Sequence, residues 1–150
     1  MNYQGTNGAD RIVGSSKADR IVGFAGDDLL IGGKGNDTIW GGDGNDTIIG
    51  ATGDGEVDFL WGGKGRDTFV IGGAYRGKQG QDFALIGDFD KDDRLVLASG
   101  QVYSIQTIGG VTEVRAGLNE LVARLQGFEV KGVLLVADGL GSNPSWVGFA

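Results

Sequence analysis

A nine-residue repeat fills the first half of the chain and constrains its fold more than any other feature. From Gly5 onward the sequence divides into seven consecutive units. They read GTNGADRIV, GSSKADRIV, GFAGDDLLI, GGKGNDTIW, GGDGNDTII, the longer GATGDGEVDFLW, and GGKGRDTFV. When the long unit is aligned at its end, the first position is always Gly, the sixth Asp and the eighth large and apolar. A fixed period of this kind predicts a stack of structural repeats.

Each position of the unit has a physical reason. Gly at the first, second and fourth positions lets the chain turn through positive φ and leaves backbone carbonyls unshielded. The last three positions suit a short strand in which the seventh and ninth side chains point outward and the eighth points inward. Two units then close one coil, and successive coils stack at a strand spacing of roughly 4.8 Å. Every turn therefore lies above the turn two units earlier.

The stacked turns call for a cation. Their carboxylates lie one coil apart and repel by about 1 to 4 kcal/mol per pair, depending on the local dielectric. A divalent cation between them reverses the sign of this interaction. The ligands on offer are carbonyl and carboxylate oxygens, which select hard cations, and flexible turns suit calcium better than magnesium. The net charge of −7 also favours cations, and it disfavours binding to nucleic acid or to an anionic membrane.

The pattern GGxGxDxUx resembles the calcium-binding nonapeptide of the RTX (repeats-in-toxin, hemolysin-type) proteins, over residues 5–70. The resemblance implies an all-β fold, a right-handed parallel β-roll, with Ca²⁺ held between turns two units apart. Five such pairs of turns imply up to five ions. The implied carboxylate ligands are Asp10, Asp19, Asp28, Asp37, Asp46, Asp58 and Asp67. The implied glycines of the sites are Gly8, Gly26, Gly32, Gly33, Gly35, Gly41, Gly42, Gly44, Gly53, Gly62, Gly63 and Gly65.

Two units depart from the pattern. The second has Lys17 at the fourth position and no Gly at the second, so we expect its turn to bind calcium weakly or not at all. In the long unit either Asp54 or Asp58 could be the ligand. We favour Asp58, because it keeps the same spacing to the apolar Leu60 as the other units.

The remainder of the chain predicts a cap for the roll. We place the roll at residues 1–75 and a β-rich capping region at 76–150, which would cover the exposed strand edge at the end of the stack. Residues 77–97 resemble the segment that often follows the last RTX repeat. By this resemblance Asp82 or Asp88 completes the final calcium site; that they only cap turns is equally open.

Further secondary structure follows from local patterns. Residues 101–108 and 111–116 predict a hairpin around two glycines. Residues 118–128 fit a strand or a short helix, and 132–138 predict a buried strand. The last twelve residues, GLGSNPSWVGFA, predict a loop.

Composition excludes several kinds of chemistry. The chain has no Cys and no His, so thiolate sites and Ser-His-Asp triads are excluded. The Asp residues have a role as metal ligands, and we expect no enzyme activity. On the outer surface, Trp40 and Trp61 fall in one column at the ninth position, which could accept a protein or glycan partner.

These features predict a calcium-binding module that folds when it binds the ion. The first residues have neither a basic nor an apolar segment, so we expect no cleavable secretion signal, and no apolar run is long enough to span a membrane. The resemblance implies secretion through a type I channel and an extracellular or cell-surface location. Two alternatives remain open: a carbohydrate-binding module similar to those of alginate epimerases, and the C-terminal secretion or folding part of a larger secreted enzyme or toxin.

Overall fold

The computed structural model describes residues 1–51, 55–71, 82–97, 102–117, 120–127, 133–137 and 145–148, the last two ranges by their backbone alone. All regular elements in these residues are strands, so none is a helix that could cross a membrane. In chain order the strands are β1 Asn2–Gln4, β2 Arg11–Val13, β3 Arg20–Ala25, β4 Leu29–Gly33, β5 Thr38–Asp43, β6 Thr47–Ala51, β7 Val57–Lys64, β8 Thr68–Val70, β9 Phe83–Ile86, β10 Arg94–Leu97, β11 Val102–Ile108, β12 Val111–Ala116, β13 Glu120–Leu125, β14 Val133–Ala137 and β15 Ser145–Gly148.

The repeats form two parallel sheets that face each other. Strands β1, β3, β5, β7 and β9 are successive neighbours in one sheet, and β2, β4, β6, β8 and β10 in the other. The register advances by two units at each step, as in the pairing of Ile21 with Ile39 and of Leu30 with Ile48. Two units therefore make one coil, which confirms the predicted all-β parallel roll.

The core of the roll is a column of eighth-position side chains. The strands alternate between buried and partly exposed residues, because neighbouring side chains point to opposite faces of a strand. The members of the column that are completely shielded from solvent are Ile21, Leu30, Ile39, Ile48, Leu60 and Phe69. Since each coil contributes only two such residues, the apolar core is thin and the turns lie close to it.

The parallel stack extends beyond residue 75, where the sequence places the end of the roll. Strand β9 continues the first sheet beside β7, and β10 continues the second beside β8. In the second case Leu95 pairs with Phe69, so residues 88–96, DFDKDDRLV, keep the phase of the nonapeptide. The roll geometry therefore includes one more coil that has lost most of its glycines.

The C-terminal strands cover the last coil. A hairpin joins β11 and β12 around Gly109 and Gly110, both at positive φ, as predicted. Strand β13 pairs in parallel with β9, and β15 pairs antiparallel with β10, so both sheets continue into the C-terminal part. Residues 120–125 are thus a strand and not a helix. The prediction that the tail is a loop was wrong for 145–148, which supply the strand that pairs with β10.

Candidate calcium sites

The turns stack backbone on backbone, and glycine makes this possible. At the second position Gly42 has a φ of 127°, and a Cβ there would overlap the carbonyl oxygen of Phe24, two units earlier. Gly44, at the fourth position, has a φ of 145° and the same close approach to Gly26. No other residue type combines positive φ with such contact. The turns therefore bring their carbonyl groups together in register.

From Asp28 onward, one oxygen of each turn-closing carboxylate belongs to a regular ladder. The Oδ1 atom accepts a hydrogen bond from the backbone N–H of the equivalent Asp two units earlier. Donor and acceptor residues, with their N···O distances, are Asp10 and Asp28 (2.8 Å), Asp19 and Asp37 (2.8 Å), Asp28 and Asp46 (2.9 Å), Asp37 and Asp58 (2.7 Å), Asp46 and Asp67 (2.8 Å), and Asp67 and Asp93 (2.9 Å). This ladder fixes the six accepting carboxylates at the same place in their turns.

The other oxygen has no hydrogen-bond partner in four of these turns. The Oδ2 atoms of Asp28, Asp37, Asp46 and Asp67 are buried and unpartnered. A buried polar atom without a partner costs about 1–3 kcal/mol, and more if it is charged. The arrangement is therefore incomplete without a further group.

The space in front of each unpartnered oxygen is lined by oxygen and kept open by glycine. A Cβ on Gly23 would overlap Asp28 Oδ2 and would lie 2.6 Å from the carbonyl oxygen of Gly41, in the turn above. A Cβ on Gly41 would meet Asp46 Oδ2 and the carbonyl oxygen of Gly62 in the same way. A carboxylate oxygen and a carbonyl oxygen thus converge on one small space between stacked turns. Such a donor set fits a hard cation such as Ca²⁺.

Burial also opposes the negative charge of these carboxylates. It raises the pKa of Asp37 and of Asp67 to about 7, and that of Asp46 to about 6. Neighbouring stacked carboxylates add to this rise in pKa, while the backbone N–H donors of the ladder oppose it. A bound cation would compensate the charge that burial and repulsion disfavour.

The first two turns are completed by hydroxyl groups instead. Asp10 Oδ2 accepts hydrogen bonds from the backbone N–H of Thr6 (2.5 Å) and from its hydroxyl (2.9 Å). Asp19 Oδ2 accepts equivalent bonds from Ser15 (2.5 and 2.7 Å), and Asp19 Oδ1 accepts one from the N-terminal amine of Met1. Although burial raises the pKa of Asp19, these hydrogen bonds and the amine charge lower it overall. The first two turns thus share a second-position hydroxyl that binds the carboxylate. The second-position residues of the later turns have no hydroxyl.

The structure places most of the predicted glycines in the stacked turns. The second-position residues Gly33, Gly42 and Gly63 and the fourth-position residues Gly26, Gly35, Gly44 and Gly65 have positive φ and no room for a side chain. The first-position residues Gly32, Gly41 and Gly62 adjoin the carboxylates of their own turns. Gly8 has room for a Cβ, which would lie 3.9 Å from Thr6 Oγ1, and Gly53 lies outside the described residues.

The strand after the long turn pairs in the register that places Asp58 at the sixth position of its unit. Residues Phe59 and Leu60 pair with Thr38 and Ile39, so the fully buried Asp58 lies in the carboxylate column. Asp54, the alternative, lies outside the described residues.

The column continues into Asp93, which the sequence analysis did not single out. Asp93 Oδ1 accepts the N–H of Asp67, as in the regular ladder. Asp88 instead accepts the N–H groups of Gly62 (3.0 Å) and Gly63 (2.9 Å), one with each oxygen, and Asp82 is fully buried just before β9. The signal for Asp93 was the local sequence DRLV, which repeats the DRIV of the first two units.

Carboxylates alone do not form the sites. Within the described part of the chain, no three acidic side chains are grouped closely enough to hold a metal by themselves. Any site in the turns therefore combines carboxylates with backbone carbonyls.

The outward-facing tryptophans pack on each other. The rings of Trp40 and Trp61 are stacked, with centroids 5.1 Å apart and planes 10° apart. The guanidinium of Arg20, from the strand on the other side, lies 4.6 Å from the centre of the Trp40 ring. Both faces of Trp40 are thus occupied within the roll, and a partner on this surface stays a prediction.

The repeats in the sequence are similar to those of a known family. The family model described as the RTX calcium-binding nonapeptide repeat (4 copies) matches residues 4–39, 22–57 and 51–74. The solution structure of the AlgE6R3 subunit from the Azotobacter vinelandii mannuronan C5-epimerase is 25% identical to this chain. The match covers 81% of this chain and 71% of that one, with a TM-score of 0.30. No curated protein matches significantly. Residues 4–74, just under half of the chain, thus contain RTX calcium-binding nonapeptide repeats.

Proposed function

We propose that this chain is a calcium-dependent folding module, in which the roll forms when Ca²⁺ binds between stacked turns. The observation that carries the proposal is the set of buried, unpartnered Oδ2 atoms on Asp28, Asp37 and Asp46. Each faces a glycine-lined space, and in all three cases a carbonyl oxygen of the turn above lies beside that space. Because no such site exists in an unfolded chain, the free energy of binding stabilises the fold.

The ions would not be bound equally. The pairs of turns 23–28 with 41–46, 32–37 with 50–58, and 41–46 with 62–67 each contain an unpartnered Oδ2. In the pairs 5–10 with 23–28 and 14–19 with 32–37, hydroxyl groups already occupy the equivalent oxygen. Of up to five ions in the roll, three would therefore bind tightly and two weakly. Asp67 Oδ2, with Asp93 in the next turn, supports a further ion at the end of the stack.

Circular dichroism during a calcium titration tests the proposal. The strand signal of the full chain should be weak in chelator and should rise cooperatively with calcium. Magnesium, which demands a tighter and more regular shell of ligands, should not replace it. A full strand signal in chelator that calcium leaves unchanged would refute calcium-dependent folding.

The RTX repeats favour a setting outside the cell, and this setting predicts a low calcium affinity. Extracellular calcium modules bind with Kd values of about 10⁻⁴–10⁻³ M, so such sites would be empty in the cytosol and filled outside the cell. We therefore place the folded module outside the cell, after secretion of an unfolded chain. A calcium midpoint in the micromolar range would oppose this assignment, because the roll would then fold before export.

A further inference from the structure

In the long turn, the carboxylate of Glu56 takes the place that a backbone carbonyl has in the regular turns. In a regular turn, the fourth-position N–H donates to the third-position carbonyl two units later. Gly26 donates in this way to Asp43, and Gly44 to Lys64, both at 2.8 Å. The N–H of Gly35 instead donates to Glu56 Oε1 at 2.7 Å. The insertion in the long unit has thus replaced a neutral carbonyl by a carboxylate.

The hydrogen bond to Gly35 explains only one oxygen of Glu56. The residue is 8% exposed, and its Oε2 atom is buried without a hydrogen-bond partner. A backbone carbonyl or a glutamine would accept the same bond without a buried negative charge. A carboxylate in this position carries a desolvation cost that the hydrogen bond alone does not offset.

A second unpartnered oxygen belongs to the same pair of turns. Asp37, in the turn below, has a buried Oδ2 without a partner, and a Cβ on Gly32 would lie 2.6 Å from the carbonyl oxygen of Gly50 beside it. Glu56 and Asp58 both act electrostatically on Asp37, so three acidic groups share this region. In the pairs 23–28 with 41–46 and 41–46 with 62–67, a neutral third-position carbonyl takes the place of the Glu56 carboxylate.

We propose that Glu56 is a calcium ligand outside the nonapeptide motif, and that it makes the site between turns 32–37 and 50–58 the tightest in the roll. Glu56 Oε2 adds a negative ligand to those supplied by Asp37 and the turn carbonyls. Calcium affinity rises with the number of charged ligands, so this site fills first as the calcium concentration increases. The inference rests on the proposed function and identifies a further ligand for it.

Isothermal titration of the full chain with calcium tests this assignment through Glu56→Gln. Glutamine keeps the acceptor for Gly35 and removes the charge. The matched control is Asp43→Asn, which removes one charge from an exposed third-position residue paired with Lys64. We expect Glu56→Gln to weaken the tightest site by about tenfold or more, and Asp43→Asn to leave it nearly unchanged. Circular dichroism at saturating calcium should show that both variants fold.

The outcomes separate this inference from the proposed function. If the wild-type chain binds no calcium, both fail. If the wild-type chain binds calcium and Glu56→Gln binds it with the same affinity, the proposed function stands and the role of Glu56 is refuted. An equal loss of affinity in Glu56→Gln and Asp43→Asn would indicate a general effect of charge and would also refute it.

Discussion

The first two turns of the roll and the turns that begin at Gly23, Gly32 and Gly41 all end in a carboxylate, but the Oδ2 atom of that carboxylate has different surroundings in the two groups. In the first two, Thr6 or Ser15 at the second position donates a hydroxyl to the turn-closing carboxylate. In the turns that begin at Gly32 and Gly41 the second position is glycine, and the equivalent oxygen is buried without a partner. In the first two turns a hydroxyl group of the chain is therefore the partner of the carboxylate oxygen, whereas in the later turns a cation would be its partner.

The charge states of the carboxylates differ in the same way. Hydrogen bonds and the N-terminal amine lower the pKa of Asp19 despite its burial, whereas burial raises the pKa of Asp37 to about 7 and that of Asp46 to about 6. Donors and charge supplied by the protein thus outweigh burial at Asp19, whereas at Asp37 and Asp46 burial outweighs the ladder donors. The comparison teaches that the motif alone does not identify a calcium site, because the residue at its second position decides whether an oxygen is free to bind.

The largest effect is expected where a side chain would fill a site. Gly41→Ala introduces a Cβ that overlaps Asp46 Oδ2 and lies 2.5 Å from the carbonyl oxygen of Gly62. We expect it to remove one bound ion and to shift the calcium midpoint of folding upward by about tenfold or more. Isothermal titration gives the ion count. Gly8→Ala is the control, since its Cβ would have no atom closer than 3.9 Å; an equal effect of the two would contradict the placement of the site.

Removing a carboxylate should have nearly as large an effect, but only in the glycine turns. Asp46→Ala takes away an oxygen that faces the site, so the calcium midpoint measured by circular dichroism should rise by about tenfold. Asp19→Ala removes a carboxylate that the protein already satisfies, and the shift in midpoint should be clearly smaller. Equal shifts in the two variants would mean that the hydroxyl groups do not distinguish the turns.

Calcium binding should weaken as the pH falls. The raised pKa values of Asp37, Asp46 and Asp67 mean that a metal-free roll binds more protons than the unfolded chain, whose Asp side chains have a pKa of 3.8. The contribution of these three groups to the stability of the metal-free roll is therefore fully present below about pH 4 and is lost as the pH rises to about 7. Because calcium must displace these protons, its midpoint should be higher at about pH 5 than at about pH 8. A midpoint independent of pH would contradict the buried state of these carboxylates.

The smallest expected effect is the gain of a site. Thr6→Gly converts the first turn from GTNGAD to GGNGAD, the pattern of the later turns, and removes the hydroxyl from Asp10. We expect one additional ion of low affinity at saturating calcium, measured by isothermal titration. Thr6→Ser, which keeps the hydroxyl, should bind the wild-type number. If Thr6→Gly also binds the wild-type number of ions, the hydroxyl of Thr6 is not what prevents calcium binding in the first turn.

Periodicity made much of the roll predictable. The inward column, the stacking of alternate turns and the phase of Asp58 all follow from the spacing of Gly, Asp and apolar residues, because a strand side chain has only two directions to point. The spacing could not reveal the pairing of β15 with β10, which joins distant parts of the chain.

Single residues without periodic counterparts were the other source of error. The repeat pattern gave no role to Thr6, whose hydroxyl contacts Asp10. Glu56 lies inside the insertion, so no repeated position indicated that its carboxylate would meet the N–H of Gly35. Asp93 was missed because residues 88–96 contain no glycine, although Asp93 and Leu95 have the sixth and eighth positions of a repeat unit.

The most direct test of the account is a crystal structure of the chain grown with calcium, with the ions located by anomalous scattering. We predict strong peaks between turns 23–28 and 41–46, 32–37 and 50–58, and 41–46 and 62–67, each within about 2.3–2.6 Å of an Asp Oδ2 atom. The spaces beside Thr6 and Ser15 should show weak peaks or none. An ordered roll with no ion beside Asp28, Asp37 and Asp46 would contradict the claim that calcium completes these turns.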